Sequence, residues 1–506
     1  MLRSRSTNQA LFISTAALLF LASAHASDLS TPVATGGPFD TVLNLRNLPS
    51  ASDASAFPRA WLTIYGNPER DAAYSIPDNS PAWVKDGVAW KFAEARAWPL
   101  SKPAYDADAI GLKSAETTAA QWLGNAVGVS VADGMVFSAS SDQFVYALNA
   151  RTGQLIWRAS PVGTTFMGQP LVDGNLVFVN AGTVGFNYSN VQGFARTGKA
   201  IRGAGVAYNG IYALDRASGK LVWKYGTAGD AMPTPVIASD SIIFSTGAGD
   251  VVSLNKLTGA DIWKRTIGGM GNMSSPALDH GRIFVGMSSP AFLFALDEAT
   301  GKPLWKATIP NSSNTGMGDV SPAVSQGIVI TDAVSDAQTK AGTTTMDVTV
   351  GAFDGNTGKP LWTHKMGRGQ KPPSFKGGVP MIHDGIVYVG TPVRSEYQAL
   401  DLKTGALLWT WKIPDPSEAG SGRGPAAFYD GKLYIATGAA LYVLNPKTGE
   451  LLGEKVLGGR FAIAGPTVIG GTIYVASSWD WVMAVRTSNV LGAGLPPHHE
   501  SKSSAP

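Results

Sequence analysis

The sequence predicts an all-β fold: an eight-bladed β-propeller of four-stranded antiparallel blades, its ring closed by a strand from the N-terminal side. Three observations carry this reading. The first is a cassette, LFALDEATGKPLW at residues 293–305, in which Leu293 and Ala295 alternate with Phe294 and Leu296 as in a strand. Residues 297–301 then form a turn closed by glycine, and a short strand ends on a tryptophan large enough to wedge between neighbouring units. The second is recurrence: related cassettes end at Trp157, Trp223, Trp263, Trp362 and Trp409, a degenerate copy ends at Gly453, and a truncated one, VMAVRTSNV, follows Trp481. The third is spacing: Gly219, Gly259, Gly301, Gly358, Gly405 and Gly449 stand mostly 40 to 47 residues apart, a propeller-blade period.

Each cassette follows a second hairpin, such as PALDHGRIFVG at 276–286 or PMIHDGIVYVG at 380–390. Its bend carries a residue-glycine pair suited to the primed turns of tight hairpins. Hairpin plus cassette makes four antiparallel strands, and a sheet of that size buries its faces only against neighbours.

In chain order, Arg3 and Arg5 precede an apolar run at 11–21 and a small-residue cleavage site, Ala24-His25-Ala26. This reads as a signal peptide over residues 1–26, cleaved near Ala26, and a periplasmic or secreted location. No later stretch is long enough for a membrane span. With no cysteine the chain offers neither a disulfide nor a lipidation site of that type. Residues 27–85 are read as a lead-in segment and 86–490 as the propeller. Residues 88–92 copy the outer-strand half of a cassette without a hairpin before them, whereas the cassette near Met483 lacks that half. Residues 88–92 are therefore expected to complete the eighth blade with Trp90 in the tryptophan position, removing the exposed edges of an open ring. Residues 491–506 are expected to be a disordered tail.

Only 15% of residues are charged, against roughly 25% in ordinary globular domains. Two readings stand side by side: adaptation to acid, with fewer paired carboxylates to lose as pH falls, or the composition of propellers in general. A net charge of +3 gives no argument for nucleic acid.

Strands alternate in direction, so the link arriving at each blade and the connection between its second and third strands share one face. The insertions at 181–209, with Arg196, Lys199 and Arg202, and at 335–349 both belong there. The incoming link at 367–378 adds Arg368, Lys371 and Lys376. A basic mouth of this kind favours an anionic ligand, while solvated surface charge is the alternative for any single residue.

The innermost strands align on a recurring proline. Three positions before it stand Val127, Met167, Met232, Met273, Asp319, Gly377, Gly422 and Ile463. Two positions before it stand Gly128, Gly168, Pro233, Ser274, Val320, Gly378, Arg423 and Ala464. One acid and one cation break two rings of small and apolar residues, which makes Asp319 the candidate for proton transfer and Arg423 for anion binding. Lys376 and Arg460 are further candidates for holding the anion. The structural alternative is that Asp319 caps a backbone turn and pairs with Arg423. Six histidines form no spaced cluster outside the tail, so no metal site is expected. No G-x-S-x-G elbow occurs, which leaves carboxylate-activated water as the economical chemistry.

The cassette A-x-D-x-x-T-G-x-x-x-W resembles the repeat of pyrroloquinoline quinone enzymes and their cofactor-free relatives over about residues 60–486. Dehydrogenases of that superfamily typically add a calcium-binding acidic set and, in many members, a vicinal cysteine pair, and this chain has no cysteine. In its length, signal segment and repeats it is similar to the tetrathionate hydrolases of acidophilic sulfur oxidisers. That resemblance implies cofactor-free hydrolysis of tetrathionate to thiosulfate, sulfur and sulfate by a homodimer, with a catalytic aspartate that maps onto Asp319 in GMGDVSPAV. A quinone-dependent dehydrogenase and a non-catalytic scaffold are the alternatives.

Overall fold

A computed structural model describes residues 33–34, 40–43, 47–50, 73–74, 88–93, 128–139, 145–160, 165–166, 168–182, 210–227, 231–269, 274–288, 290–313, 320–371, 377–414, 422–461, 465–477 and 481–492. These residues form eight sheets arranged as the blades of a propeller. Blade 1 begins with the inner strand Ser130–Ala132, and blades 2 to 8 begin with Leu171–Asp173, Val236–Ala238, Ala277–Asp279, Ala323–Ser325, Met381–His383, Ala427–Tyr429 and Thr467–Ile469. Blade 8 has the sequence-predicted closure. Its outer strand is Val88–Ala93, antiparallel to Trp481–Arg486 with Trp90 opposite Ala484.

The tryptophans hold the seams between blades. The indole Nε1 of Trp90, Trp157, Trp223, Trp263, Trp305, Trp362 and Trp409 donates to a carbonyl in the cassette turn of the next blade at 2.9–3.1 Å. Each ring also lies flat against that turn's closing glycine, from Gly153 for Trp90 to Gly449 for Trp409. A Cβ on any of these seven glycines would stand 2.7 Å or less from indole carbons, and their φ values of +67° to +72° are left-handed as well. The eighth seam is built differently. Gly453 replaces the tryptophan of blade 7, and the carbonyl of Val490 packs where a side chain would be. Gly492 N–H then donates to Leu452 O at 2.8 Å. The degenerate and truncated cassettes are thus complementary, each making room for the other.

The cassette turns face one side of the ring. In each, an Asp or Asn side chain accepts the backbone N–H groups that follow: Asn149, Asp215, Asn255, Asp297, Asp354, Asp401 and Asn445 all do so. Hydroxyl donation from Thr357 and Thr404 is the leading cause holding the carboxyls of Asp354 and Asp401 below the usual range.

The lead-in segment is stitched onto the ring. Val33–Ala34 pairs with the outer strand of blade 2, Asp40–Leu43 with that of blade 1, and Ala73–Tyr74 runs parallel to the inner strand of blade 7. Where Asp40–Leu43 lies, Ile156 is 0% exposed; at the equivalent position of the uncovered blades Ile262, Leu304, Leu361 and Leu408 are 45–50% exposed. Residues 491 and 492 continue in contact with the ring, Leu491 packing against the core of blade 7.

Two outcomes follow. Trp90→Ala should cost about 3–5 kcal/mol in denaturant titration, as for other large-to-alanine core truncations, because Trp90 seals the closing seam. An unchanged midpoint would return residues 88–93 to a peripheral role. The second concerns acid. Depressed folded-state carboxyls contribute stability that is present above the unfolded pKa of about 4 and lost as pH falls through the folded value. In the double variant Asp354→Asn/Asp401→Asn, melting should therefore lag wild type near neutrality and converge with it in strong acid. A gap that persists below pH 2 would rule out this origin.

Candidate functional site

The face opposite the cassette turns carries the incoming links and the connections between second and third strands. Among the described residues it is elaborated most at blade 5. The sequence reading placed a linking insertion at 335–349; the structure instead shows a β-hairpin extension. The second, third and outer strands run over Ile328–Lys340, Thr343–Asp354 and Pro360–Gln370, turning at Ala341 and Gly342 with positive φ. The β-branched threonines and valines of residues 343–350, which read TTTMDVTV, favour this, and residues 346–350 are all buried. The first part of the expected 367–378 link is consequently strand.

Around the channel, residues just before the inner strands knit the blades together. Gln169 Nε2 donates to Val129 O (2.8 Å) and Thr234 Oγ1 to Gln169 O (3.2 Å). Thr234 N–H donates to Ser275 Oγ and Ser275 N–H to Ser321 Oγ, both at 3.0 Å, and Thr467 Oγ1 to Val129 O at 2.7 Å. Val379 N–H donates to Arg423 O at 3.0 Å.

Within this belt one point gathers the polar groups that break the repeat. Arg423 Nη1 donates to Gly377 O at 3.4 Å. A Cβ on Gly377 would collide with Asp332 Oδ1 and stand 2.9 Å from Val320 Cγ2. Asp319 and Lys376 lie outside the described residues, but their chain neighbours Val320 and Gly377 are the two that meet here. Arg460 falls at the end of the strand Leu451–Phe461, with its side chain outside the described residues.

Arg423 differs from its expected setting. A loop-end charge at the mouth should be solvated, yet Arg423 is 1% exposed and among the largest fully buried side chains. Tyr397 packs the same neighbourhood, its hydroxyl donating to Gly424 O at 2.6 Å, and burial pushes its pKa up.

Sequence reasoning missed Asp332, which is 0% exposed. The pairing registers of first and second strands place Ala139, Asn180, Ser245, Gly286, Asp332, Gly390, Ala436 and Ala476 at one height around the ring. Asp332 is the one acid among them. Side chains at this height reach the next blade's incoming link: Asn180 Nδ2 donates to Pro233 O (2.9 Å) and Ser245 Oγ to Ser274 O (3.3 Å). The search for a break in the repeat, applied to second strands as well as first, would have found it.

Of the cations expected to make the blade 5 rim basic, Arg368 is matched by an acid, and the neighbouring Lys365 is matched as well. Lys365 pairs with Asp336 (2.8 Å) and lies 3.9 Å from Asp347, while Arg368 pairs with Asp347 at 3.3 Å. Beside them Arg394 Nε donates to Glu396 Oε1 at 3.1 Å, and Gln398 Nε2 to the same oxygen at 2.9 Å. Positive charge at this rim therefore comes less from Arg368 than the sequence implied. Among the described residues no three His, Asp or Glu side chains converge as a metal site requires.

The site thus offers a buried guanidinium and a buried carboxylate flanking one glycine, near a rim on which Lys365, Arg368 and Arg394 are paired with acids. Fixed charges in such a low-dielectric setting act strongly on a bound ion.

Comparison with known proteins adds the family. Residues 84–275, 269–422 and 394–489 match the profile described as outer membrane protein assembly factor BamB. The chain is 47% identical over 463 residues to a tetrathionate hydrolase of Acidithiobacillus ferrooxidans, covering 91% of this chain and 93% of that protein. It is 31% identical over 468 residues to a tetrathionate hydrolase of Acidianus ambivalens, covering 86% of each. In fold it is similar to the quinohemoprotein alcohol dehydrogenase ADHIIG of Pseudomonas putida, with a TM-score of 0.55, 12% identity, and coverage of 89% of this chain and 84% of that one.

Arg423→Ala should cost at least about 2 kcal/mol in urea unfolding, because it empties a buried site and strips the Gly377 carbonyl of a donor. A fold-neutral result would mean that the guanidinium carries no packing.

Proposed function

Since the chain belongs to the tetrathionate hydrolases, enzymes built here on an eight-bladed propeller, we propose that it hydrolyses tetrathionate at the link-face mouth of its channel. The reaction is S4O6²⁻ + H2O → S2O3²⁻ + S + SO4²⁻ + 2H⁺, balanced without an external oxidant or reductant. The observation that carries this reading is the 47% identity along 91% of the chain to a protein of that name.

The residues are compatible with the chemistry. Tetrathionate carries a sulfonate at each end, so it is a dianion that needs positive potential along its length. Arg423 supplies a fixed charge from beneath the mouth, and Lys376 and Arg460 hold the sulfonates. Asp319 handles the proton of the attacking water or of the departing sulfur group. Its place is supported by Val320, which packs against the glycine that Arg423 and Asp332 flank. A carboxylate is costly to desolvate without a partner or a task, and Arg423 brings a guanidinium to the adjoining Gly377. The protein acts outside the cytoplasm, in acid, as a homodimer.

Purified protein mixed with tetrathionate at low pH, without quinone or metal, should release thiosulfate. Folded protein that releases none would overturn the proposal. Asp319→Asn should lower turnover at saturating tetrathionate by at least roughly a hundredfold, the lower end of general acid–base assistance, with melting nearly unchanged. Activity within a few-fold of wild type would remove Asp319 from the chemistry.

A further inference from the structure

Tyr397 breaks the repeat as well, on a third strand. Two positions before the third-strand residue that pairs with the cassette tryptophan, or with Gly453 in blade 7, seven blades carry valine, isoleucine or leucine, from Val145 to Val482. Blade 6 carries Tyr397 there. The residue is 1% exposed, and its ring packs tilted against Trp411 with centroids 6.2 Å apart. An aliphatic side chain fills this position with no polar group to satisfy, whereas a buried phenol needs an acceptor. The Tyr397 hydroxyl finds one outside its own blade, in Gly424 O at 2.6 Å. Burial pushes its pKa up, which keeps the proton on the oxygen.

Other buried tyrosines spend their hydroxyls differently. Tyr388 and Tyr474 donate to Pro446 O and Ala150 O, the same cassette-turn carbonyls that Trp409 and Trp90 use. Those bonds reinforce a seam. Tyr397 donates on the opposite face, to the residue that follows Arg423.

Arg423 stands between two glycines, the residues with the most backbone freedom to lose on folding. Three successive residues are held by three different elements. Gly422 N–H donates to Thr437 Oγ1 at 2.8 Å, from the second strand of blade 7. Arg423 O accepts from Val379 N–H at 3.0 Å, on the link entering blade 6. Gly424 O accepts from Tyr397, on the third strand of blade 6. Gly390 makes the space for this grip, since a Cβ there would collide with Gly422 O and stand 2.9 Å from Tyr397 Cε1. From the held backbone the guanidinium reaches Gly377 O, where Asp332 also approaches.

We propose that Tyr397 is a positioning residue for anion binding: its hydroxyl fixes residues 422–424 so that the Arg423 guanidinium stays directed at Gly377 beneath the link-face mouth. This rests on the reading of Arg423 as the fixed charge that binds tetrathionate. The support is that two exceptions to the repeat, in neighbouring blades, meet through one hydrogen bond. A tyrosine that only filled the core could be replaced there by the aliphatic residues of the other seven blades.

The test uses full-length protein, tetrathionate and the variants Tyr397→Phe, Arg423→Gln and the two combined. Tyr474→Phe is the control for taking a buried hydroxyl from a backbone carbonyl far from Arg423. Tyr397→Phe should raise KM roughly tenfold with kcat within about threefold, the pattern of lost binding that substrate and transition state share. Tyr474→Phe should leave KM unchanged. In the Arg423→Gln background, whose own KM is raised, Tyr397→Phe should add nothing, because it acts through the missing guanidinium. Should Arg423→Gln not fold, Arg423→Lys supplies the second background, in which the effect of the tyrosine should shrink. Hydrogen exchange in Tyr397→Phe should accelerate at the amides of Gly422 and Val379 and not at that of Val387. An unchanged KM in Tyr397→Phe beside a raised one in Arg423→Gln would overturn the proposal, as would an equal rise in both backgrounds. Arg423→Gln with the wild-type KM would remove Arg423 from binding, and the proposal with it. Folded wild type that releases no thiosulfate would sink the hydrolase reading instead, and unchanged exchange at Gly422 and Val379 would then show that Tyr397 holds nothing in place.

Discussion

The contact on which the ring depends is an indole laid flat on a glycine of the next blade. It joins two requirements that neither residue meets alone. The turn needs a left-handed residue to close, and the tryptophan needs a neighbour without a side chain if its ring is to reach the carbonyl behind. Glycine answers both, so seven of the eight seams are each specified by a pair of residues in different repeats. This explains why the cassette carries its glycine and its tryptophan together, although the two never touch within one blade. Blades 7 and 8 show the rule from the other side: where the tryptophan is replaced by Gly453, backbone from the end of the last blade fills the space.

With the outer radius held by indoles and the inner radius by a belt of hydrogen bonds, little seam packing is left for positions just above the belt. Most of these positions hold glycine, alanine, methionine or serine. A charged residue there does not serve the ring in the way its counterparts do. Asp332 and Arg423 are such residues, and they come from blades 5 and 7 to flank a glycine of blade 6. The convergence depends on Gly377 having no Cβ, which lets a carboxylate occupy the volume a side chain would take.

The sequence made the ring legible because repetition averages over the ambiguities of single strands. Closure by residues 88–93 was readable because one half-cassette was missing exactly where another was spare, and the lead-in strands were not, since two- and four-residue pairings leave no periodic trace. Insertions have no second copy to be compared with, and so the blade 5 extension reads as a link although its run of β-branched residues at 343–350 favours a strand. Burial was harder still. Arg423 stands before an inner strand and reads as a mouth residue, and only packing from Tyr397 and the neighbouring links shows it to be enclosed. Arg368 read as a contributor of positive charge because its partner Asp347 lies across a ladder that no linear motif reveals. Asp332 escapes an alignment of the repeats on their first strands, because the break it makes lies in the second.

Closing a ring with a strand from its own beginning also sets an order of events. During synthesis the segment around Trp90 emerges before any complete blade, and its partner around Met483 emerges after seven of them. Until then the strand around Trp90 has no ladder to join and the last blade has no outer edge. The intermediate blades can form as they appear, but the circle becomes continuous only when the chain is nearly finished. Contacts so distant in sequence are slow to form, and incompletely assembled repeats with open edges are prone to wrong pairing. Once made, the same clasp resists loss: fraying from either terminus must separate the ends before any seam is exposed, which places the durability of the molecule in its rate of opening as much as in its equilibrium stability.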